Sequence, residues 1–344
     1  MSSSSSRRVP IEAQKVDAPL TSSATFLVAE VRAGADAAAT VRDVISGLDD
    51  IIKNVGFRDL DAQLSCTVGI GSRVWPRLTA RAAPHGLHPF REFSGAKHTA
   101  PATSGDLLFH IRAKRRDLTF EFERQLLDAL GDAVTVVDET TGFRYFDVRD
   151  LLGFVDGTAN PVGAALAEST LVGDEDPSNA GGSYVVIQKY LHDLTQWQAL
   201  TTEQQEAIIG RKKADNVELD DAETGQKSHK TLSTIVVGGV EHDILRDNMP
   251  FGSPGAASFG TYFIGYARHL WVTEKMLERM FVGDPPGLYD RILDFSRAVM
   301  GCTFFAPSAD FLSALADDPA PEPPSGAMSV DTYLGLDGPG SSTV

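Results

Sequence analysis

Three side-chain types that cooperate in proton and electron chemistry occur in distinctive contexts in this 344-residue sequence. Asp156 lies in a segment where Gly157 and Pro161 indicate a turn and apolar residues flank the carboxylate. His229 and Arg246 add an imidazole, which can bind a metal or accept a proton, and a permanent positive charge. Each residue also has an ordinary interpretation, because Asp-Gly is a common turn dipeptide and most histidines are packed or surface residues.

The composition is that of a globular protein and argues against several classes of partner. Hydrophobic residues make up 42% and charged residues 23%, and the length suits one large domain or two ordinary ones. The net charge of −16 opposes binding to nucleic acid or to an anionic membrane, since both are polyanionic. Cys66 and Cys302 form no disulfide or zinc motif, which is typical of a reducing compartment.

No export signal or membrane-spanning segment is predicted. Arg7 and Arg8 are not followed by a continuous apolar region, so a twin-arginine export signal is not indicated. No apolar run approaches the roughly 18–20 residues needed to span a bilayer. We therefore predict a cytoplasmic protein that begins with a polar, disordered leader at residues 1–22.

Hydrophobic periodicity predicts two similar α+β halves. In each half a strand precedes a helix that ends near a Gly-Asp pair, at Gly131 and at Gly283, which indicates duplicated units instead of strict βαβ alternation. Strands are predicted at 24–31, 64–71, 105–112, 134–137, 143–146, 183–188, 232–237 and 260–266. Helices are predicted at 41–55 with Gly56 as a left-handed stop, at 122–130, at 201–209 with a capping box from Thr201 to Gln204, and at 276–281.

The order of these elements predicts five regions. After the leader, residues 23–152 form an N-terminal half and residues 182–316 form a C-terminal half. The connector between them, residues 153–181, carries Asp156. Residues 317–344 are rich in proline, glycine and acidic side chains, a composition that cannot bury enough apolar surface to fold. We predict that this last region is a flexible tail.

A weaker signal is the pair Gly69 and Gly71 at the end of a predicted strand. The dinucleotide-binding motif needs a third glycine where this chain has Val74, and Pro76 interrupts a following helix. A flavin- or nicotinamide-dependent enzyme is therefore a remote alternative.

Several ordered motifs together resemble the dye-decolorising peroxidases, a family of haem enzymes, and most closely their B-type subgroup. Gly153-Phe154-Val155-Asp156-Gly157 matches the GxxDG signature of that family, and His229 and the Arg246-x-Asn248 segment also match. The similarity extends from about residue 24 to 313 and includes three further segments: 98–102, 173–176 and 293–296.

This resemblance implies a fold and a cofactor. Two ferredoxin-like halves with antiparallel sheets, of the dimeric α+β barrel type, would hold haem b mainly through the C-terminal half. His229 would be the proximal ligand of the haem iron. A carboxylate should accept the other ring N–H of His229 and make it a stronger donor to iron. Asp290 is the preferred partner, and Asp294 is the alternative.

The resemblance also implies roles on the other side of the haem. Asp156 would accept a proton from hydrogen peroxide and deliver it to the leaving oxygen. Arg246, which keeps its proton, would stabilise the negative charge that develops as the O–O bond breaks. Asn248 would hold the peroxide or a water molecule. The competing hypothesis is a haem carrier or sensor, which needs His229 but not Asp156 or Arg246 for bond cleavage.

One departure from the family pattern bears on metal oxidation. Ala159 stands where the family commonly has a glutamate that contributes to a carboxylate cluster beside the haem, whereas Glu218 and Glu241 match the other positions. Without the third carboxylate, Mn²⁺ would lose a ligand and part of its charge compensation. The sequence therefore predicts weak manganese oxidation.

Partners other than peroxide follow from the resemblance as further expectations. Electrons from small reductants would reach buried haem through surface aromatic residues, for which the candidates are Trp75, Trp197, Trp271, Tyr190 and Tyr266. A homo-oligomer is expected. Related peroxidases often carry a tail peptide that docks them inside an encapsulin shell, and Tyr333-Leu334-Gly335-Leu336 resembles such peptides faintly.

Overall fold

The computed structural model describes residues 11–221 and 225–319. The strands in these ranges are β1 (Ser23–Val31), β2 (Ser65–Ile70), β3 (Phe93–Ser94), β4 (Thr99–Ala100), β5 (Leu107–Ala113), β6 (Val134–Phe143), β7 (Ser183–His192), β8 (Ile235–Val237), β9 (Val240–His242), β10 (Leu245–Arg246), β11 (Met249–Ser253), β12 (Ser258–Ala267) and β13 (Ser296–Ala306). The helices are α1 (Ala35–Ser46), α2 (Leu48–Gly56), α3 (Trp75–Leu78), α4 (Arg116–Leu130), α5 (Ala164–Thr170), α6 (Leu194–Gln198), α7 (Thr202–Ile209), α8 (His229–Ser233), α9 (Leu270–Phe281) and α10 (Ala309–Ala314).

Strands from both halves join in one antiparallel sheet. Its order is β10-β12-β7-β13-β2-β5-β1-β6, and β11 also pairs with β12. The two halves meet where β13 pairs with β2, through Phe305 and Ile70. This arrangement confirms the predicted α+β class with antiparallel sheets.

The sheet curves so that its two ends approach each other. A Cβ atom on Gly142 of β6 would lie 2.5 Å from the Cβ of Met249 on β11, so only glycine permits this approach. The enclosed side of the sheet is filled by a core cluster drawn from both halves. Its members include Phe26, Leu108, Ile187, Tyr262, Ile264 and Phe304. The sheet therefore forms a barrel with a packed interior, consistent with the expected barrel type.

Helices pack against the outer face of the sheet in the N-terminal half. On α4, apolar residues recur at helical spacing and are buried against the sheet: Leu118, Phe122, Leu126 and Leu130. Burying each such side chain stabilises the fold by roughly 1.5–3 kcal/mol. Gly131, which follows α4, has φ of 47° and ends the helix in a conformation that favours glycine.

Four local predictions differ from the structure. The helix predicted at 41–55 is interrupted at Gly47, and Gly56 is its last residue, followed by Phe57 in a right-handed conformation instead of a left-handed stop. The strand predicted at 134–137 continues to Phe143 as β6, and the separate strand predicted at 143–146 does not form, because a 3-10 turn begins at Phe146. The strand predicted at 232–237 begins as a helix: α8 contains His229 and ends at Ser233, and only then does β8 start. Tertiary packing decides such boundaries, which periodicity leaves open.

The described part of the leader differs from the disorder expected of it. Val16 is 2% exposed, and the buried side chain of Gln14 donates to the carbonyl of Val68 at 2.9 Å. The backbone of Glu12 accepts a hydrogen bond from Ala309 at 2.8 Å. Residues 11–16 are therefore held by the barrel and by α10, while residues 1–10 lie outside the described part.

Packing explains the glycine pair that suggested a dinucleotide site. A Cβ atom on Gly69 would lie 2.8 Å from the Cβ of Phe304, and one on Gly71 would lie 3.0 Å from the carbonyl oxygen of Gly105. The helix that follows, α3, has only 4 residues. These glycines serve close packing inside the sheet. Within the two described ranges, no helix is both long and apolar enough to cross a bilayer.

Candidate active site

A cavity of about 220 Å³ lies between the sheet and the helices of the C-terminal half. Every residue that lines it falls between Asp150 and Ser296. The lining combines apolar side chains, such as Phe263 and Leu277, with polar groups, and it includes His229, Asp156, Arg246 and Asn248. The structure thus brings the four predicted distal and proximal residues to one space.

His229 enters the cavity from the first turn of α8. The Ser228 hydroxyl accepts a hydrogen bond from the Thr231 N–H and caps this helix. The side chain of His229 is 34% exposed and lines the cavity, and its Nδ1 lies 2.6 Å from Oδ2 of Asp290, which is fully buried. Burial alone would lower the pKa of His229, but the charge and hydrogen bond of Asp290 raise it above the ordinary value. The ring is therefore oriented with Nδ1 toward the carboxylate.

Backbone contacts hold Asp290 in place. Its N–H donates to the Met280 carbonyl at 2.8 Å, and its Oδ1 accepts the N–H of Ile292 at 3.1 Å. The alternative partner, Asp294, contacts a different group of side chains, with Oδ1 3.0 Å from His98 Nε2 and Oδ2 2.6 Å from Arg291 Nε. The structure places Asp290, and not Asp294, beside His229.

Asp156 is fixed by a tight turn and by Asn248. Gly157 has φ of 78°, and its N–H donates to Oδ1 of Asp156 at 2.7 Å. Asn248 Nδ2 donates to the same oxygen at 3.3 Å, and Asn248 Oδ1 accepts the N–H of Ile264 at 3.2 Å. Both donors reach Oδ1, so they leave Oδ2 of the carboxylate available for proton exchange in the cavity.

Hydrogen bonds to the backbone of Arg246 hold this residue in place, and its side chain lines the cavity. Asn160 clamps this backbone, with Nδ2 2.7 Å from the Arg246 carbonyl and Oδ1 2.9 Å from its N–H. Burial lowers the pKa of Arg246, and the charges of Asp156 and Asp243 partly oppose that shift. Its Nη2 lies 4.0 Å from Met276 Sδ. Because guanidinium is such a weak acid, Arg246 remains a fixed cation near Asp156.

Sequence reasoning missed two residues of this site. Asn160 lies in the same motif as Asp156, and its position directly before a proline was the available signal for a structural role. Asp150 also lines the cavity, and its Oδ1 accepts the Phe154 N–H at 2.9 Å. Burial raises the pKa of Asp150 to about 7, and the charge of Asp156 acts in the same direction. No sequence pattern distinguished Asp150 from a surface carboxylate.

The donors around the cavity fit a haem better than a metal bound by protein alone. Among the described residues, no group of three or more His, Cys, Asp and Glu side chains could hold a metal ion. A single imidazole is sufficient where a porphyrin supplies the other ligands. His229 offers such an imidazole, since Asp290 occupies its Nδ1 and leaves Nε2 for the iron.

The residues considered for manganese do not form a cluster. Ala159 and Glu241 line the cavity, but Glu218 does not. Glu218 instead pairs with Arg211 and lies 3.6 Å from Lys230 Nζ. Two cations therefore neutralise one of the two remaining carboxylates.

The candidate aromatic relays lie at different depths. Trp75 and Trp197 are 1% exposed, and Tyr266 is fully buried in the barrel. Tyr190 is buried as well but lines the cavity. Trp271 is 40% exposed and packs edge-on against His242 at 4.8 Å. Trp271 is the only one of these candidates that reaches the surface.

Comparison with known proteins agrees with this geometry along nearly the whole chain. The family models for the N-terminal and C-terminal parts of Dyp-type peroxidases match residues 13–144 and 147–311. A dye-decolorizing peroxidase of Mycobacterium tuberculosis is 52% identical over 91% of this chain and 92% of its own length.

Two solved structures share the fold. A DypB variant from Rhodococcus jostii RHA1, solved in complex with heme, has a TM-score of 0.85 and 58% identity, covering 88% of this chain and 98% of that one. The encapsulated DyP-type peroxidase from Mycobacterium smegmatis has a TM-score of 0.87 and 51% identity, covering 91% of this chain and 100% of that one. Both halves, the cavity between helices and sheet, and the overall similarity lead to one conclusion: this chain belongs to the Dyp-type peroxidase family of haem enzymes.

Proposed function

We propose that this peroxidase binds haem b in the cavity through His229 and reduces hydrogen peroxide on the face occupied by Asp156 and Arg246. Dyes, phenols or other small reductants then supply electrons in single steps. The observation that carries the proposal is that an imidazole–carboxylate pair and a separate carboxylate–amide–guanidinium group line the same cavity. Together they would supply a ligand for the haem iron, a proton acceptor and a fixed positive charge.

His229, oriented by Asp290, would hold the haem iron. Nδ1 donates to Asp290 at 2.6 Å, which fixes the tautomer and increases the electron density at Nε2. When bound, haem supplies a redox-active iron that can take up the oxidising equivalents of hydrogen peroxide. Because Asp290 is itself held by two backbone hydrogen bonds, the ring cannot rotate freely away from the cavity.

Asp156 and Arg246 have different roles in the cleavage of hydrogen peroxide. Oδ2 of Asp156 accepts the proton of one peroxide oxygen and returns it to the other as the O–O bond breaks. Arg246 stabilises the negative charge on the departing oxygen, at a site where burial strengthens the interaction. Asn248 holds the Asp156 carboxylate in position through Oδ1 and therefore acts as a positioning residue.

The visible absorption spectrum of the His229→Ala variant tests whether His229 holds the haem iron. We expect the Soret band of the wild type to be lost or shifted, because the iron loses its protein ligand. His242→Ala is a matched control, since His242 packs on Trp271 and does not line the cavity. An unchanged spectrum in His229→Ala would overturn this assignment.

Stopped-flow spectra after peroxide addition test the distal roles. Asp156→Asn keeps an acceptor for the Gly157 N–H but cannot take a proton, so the oxidation rate should fall by about 10²–10⁴-fold. Arg246→Leu removes the fixed charge and should lower the rate by roughly 10²–10³-fold. A wild-type spectrum that peroxide leaves unchanged would support a haem carrier or sensor instead.

We further propose that this enzyme oxidises Mn²⁺ weakly. Ala159 supplies no carboxylate, and Glu218 is paired with cations, so a hard divalent cation finds few anionic ligands. The Ala159→Glu variant should oxidise Mn²⁺ faster than the wild type in a steady-state assay. Efficient, saturable Mn²⁺ turnover by the wild type would contradict the proposal.

The remaining proposals concern partners and location. The tail, residues 317–344, lies outside the described residues from position 320 onward. Since one relative is an encapsulated peroxidase, we infer that this tail docks the enzyme in an encapsulin shell in the cytoplasm, as a homo-oligomer. Co-purification of a shell protein with the full chain, but not with a chain lacking residues 318–344, would support this role.

Electron entry completes the proposed cycle. Trp271 is the surface candidate because it is partly exposed and lies on α9, the helix whose residues Met276 and Leu277 line the cavity. Trp271→Phe should slow oxidation of bulky dyes more than oxidation of small phenols, measured as kcat/KM for each. Equal effects on both substrates would argue against this route.

A further inference from the structure

A polar cluster lies inside the barrel, on the side of the sheet that faces away from the cavity. It consists of His110 and Arg112 on β5, Asp247 next to β10, and Tyr266 on β12, and we call it the barrel cluster. Each of the four is at most 2% exposed, and none lines the cavity. Apolar residues of similar size would fill this space at a lower desolvation cost, so the presence of the barrel cluster favours a chemical role.

Tyr266 and His110 form a donor–acceptor pair at the centre of the barrel cluster. The Tyr266 hydroxyl lies 2.8 Å from His110 Nδ1. Burial raises the pKa of Tyr266, and burial together with the charge of Arg112 holds the pKa of His110 well below its usual value. The phenol is therefore protonated and the imidazole neutral, so Tyr266 donates and Nδ1 accepts.

Asp247 is placed to stabilise a second proton on His110. With Nδ1 as acceptor, the ring proton is on Nε2, which has no hydrogen-bond partner in the described part of the chain. Oδ2 of Asp247 lies 3.9 Å from this nitrogen and 3.0 Å from Nη1 of Arg112. Its negative charge would attract an imidazolium and offset part of the repulsion from Arg112.

One layer of strands separates the barrel cluster from the cavity. On β12, Phe263 lines the cavity whereas Tyr266 belongs to the barrel core, because alternate side chains of a strand point to opposite faces. Asp247 lies between Arg246 and Asn248, and both of these neighbours line the cavity. Tyr266 and the cavity therefore lie on opposite faces of the sheet, and an electron that leaves Tyr266 crosses one layer of strands.

We propose that Tyr266 and His110 are a redox-active pair that gives one electron to the peroxide-oxidised enzyme when no external reductant is present. One electron leaves the Tyr266 ring and reaches the oxidised cofactor, while the phenolic proton moves to His110 Nδ1. The products on the protein are a neutral tyrosyl radical and an imidazolium. An oxidised phenol is a far stronger acid than a phenol, so even this weakly basic imidazole accepts its proton. An external donor later returns the electron, and the proton moves back to Tyr266.

Three other tyrosines of the described chain lack a comparable proton acceptor. Tyr262 is fully buried on the same strand, and its hydroxyl has no partner among the described residues. Tyr190 donates to the side-chain oxygen of Gln188, an amide that does not take up a proton. Tyr289 donates to Asp294 at 3.0 Å, but hydrogen bonds from cationic neighbours hold the pKa of Asp294 far below its usual range in spite of burial. Tyr262 is therefore a matched control for Tyr266.

Electron paramagnetic resonance of the haem-loaded enzyme, frozen shortly after addition of hydrogen peroxide, tests the proposal. The wild type should show a tyrosyl signal with hyperfine coupling to one exchangeable proton. In D₂O the signal should remain and this coupling should disappear. Tyr266→Phe should lose the signal, and Tyr262→Phe should retain it. His110→Gln keeps a hydrogen-bond acceptor but cannot take up the proton, so its signal should be strongly reduced.

The outcomes separate this proposal from the peroxidase function on which it rests. The optical change on peroxide addition reports oxidation of the cofactor, so that change without any tyrosyl signal would overturn the redox pair alone. A signal that persists in Tyr266→Phe, or is lost equally in Tyr262→Phe, would also overturn it. The wild type also provides a test that needs no variant: a tyrosine hydrogen-bonded to a proton acceptor should show the coupling to an exchangeable proton, and a tyrosyl signal without that coupling would contradict the proposal.

Discussion

The two halves of this peroxidase place a long helix against the same sheet, but they fill the space beneath it differently. Under α4, the side chains of Leu118, Phe122 and Leu126 pack directly on the strands. Next to α9, Met276 and Leu277 border a cavity that also receives His229 and Arg246. The comparison shows that one architecture supports either a solid core or a cofactor site, depending on what lies between helix and sheet.

The difference has an energetic consequence. Side chains in a filled core gain dispersion contacts with their neighbours. The side chains that line a cavity lack those contacts until a ligand occupies it. The N-terminal half therefore provides stability that does not depend on cofactor. We expect the C-terminal half to gain stability when haem occupies the cavity, whose polar lining serves chemistry.

The largest effect on stability is expected from creating a void in the core of the N-terminal half. Phe122→Ala should lower the free energy of unfolding by about 3–5 kcal/mol, because the side chain is fully buried and leaves a void. Urea unfolding measures this change. Phe120→Ala on the same helix is the control, since Phe120 is 62% exposed and its loss should cost less than about 0.5 kcal/mol. Equal losses of unfolding free energy in the two variants would show that the side chains of α4 are not tightly packed against the sheet.

Binding of haem in the cavity of the C-terminal half should change the free energy of unfolding by a similar amount. Free haem at about 1,000 times its dissociation constant should stabilise the protein by roughly 4 kcal/mol, provided that it binds only the folded state. In hydrogen exchange, amide protection should increase more in α8 and α9 than in α4. Uniform protection across all three helices would contradict the contrast between the halves.

A buried carboxyl group in the N-terminal half should affect stability but not the reaction with peroxide. Burial, aided by the charge of Glu139, raises the pKa of Glu123 from 4.5 to about 7. Because the folded state binds this proton more tightly, its stabilising contribution is full below about pH 4.5 and is lost as pH rises through 7.

Glu123→Gln should therefore be more stable than the wild type at pH 8, by roughly 1–2 kcal/mol after allowance for solvent screening. The advantage should vanish near pH 4.5, the ordinary pKa of the carboxyl. Urea unfolding at both pH values measures it, and the rate of reaction with peroxide should not change. A changed rate would show that Glu123 communicates with the cavity.

The smallest effect is expected at the edge of the cavity. Met276→Ala should cost about 1 kcal/mol in the haem-free protein, below the roughly 2–5 kcal/mol typical of filled cores, because part of the side chain already borders empty space. Leu126→Ala on α4 is the matched comparison, measured by urea unfolding of the same preparation. A cost at Met276 that equals the cost at Leu126 would mean that the helix closes over the cavity.

The sequence by itself determined the fold class and most of the residues of the site. Period-two and period-3.6 patterns predicted the strands and helices because those patterns follow directly from backbone geometry. The roles of Asp156 and His229 were predicted from the resemblance of several ordered motifs to one family, since each residue alone has an ordinary interpretation. Element boundaries were less accurate, as the helical start of α8 shows, since a short segment with one turn of helix has no periodicity to detect.

Only the tertiary structure decided which of these residues meet and what they bind. The sequence favoured Asp290 over Asp294 without excluding either, and the fold decides between them. A turn after α9 brings Asp290 to Nδ1 of His229 and leaves Asp294 with Lys97 and Arg291. Asp150 and the pair of Tyr266 and His110 could not be recognised at all, since burial and a contact between residues 156 positions apart created their chemistry. Contacts over such sequence distances depend on the closed sheet, and no local pattern encodes them.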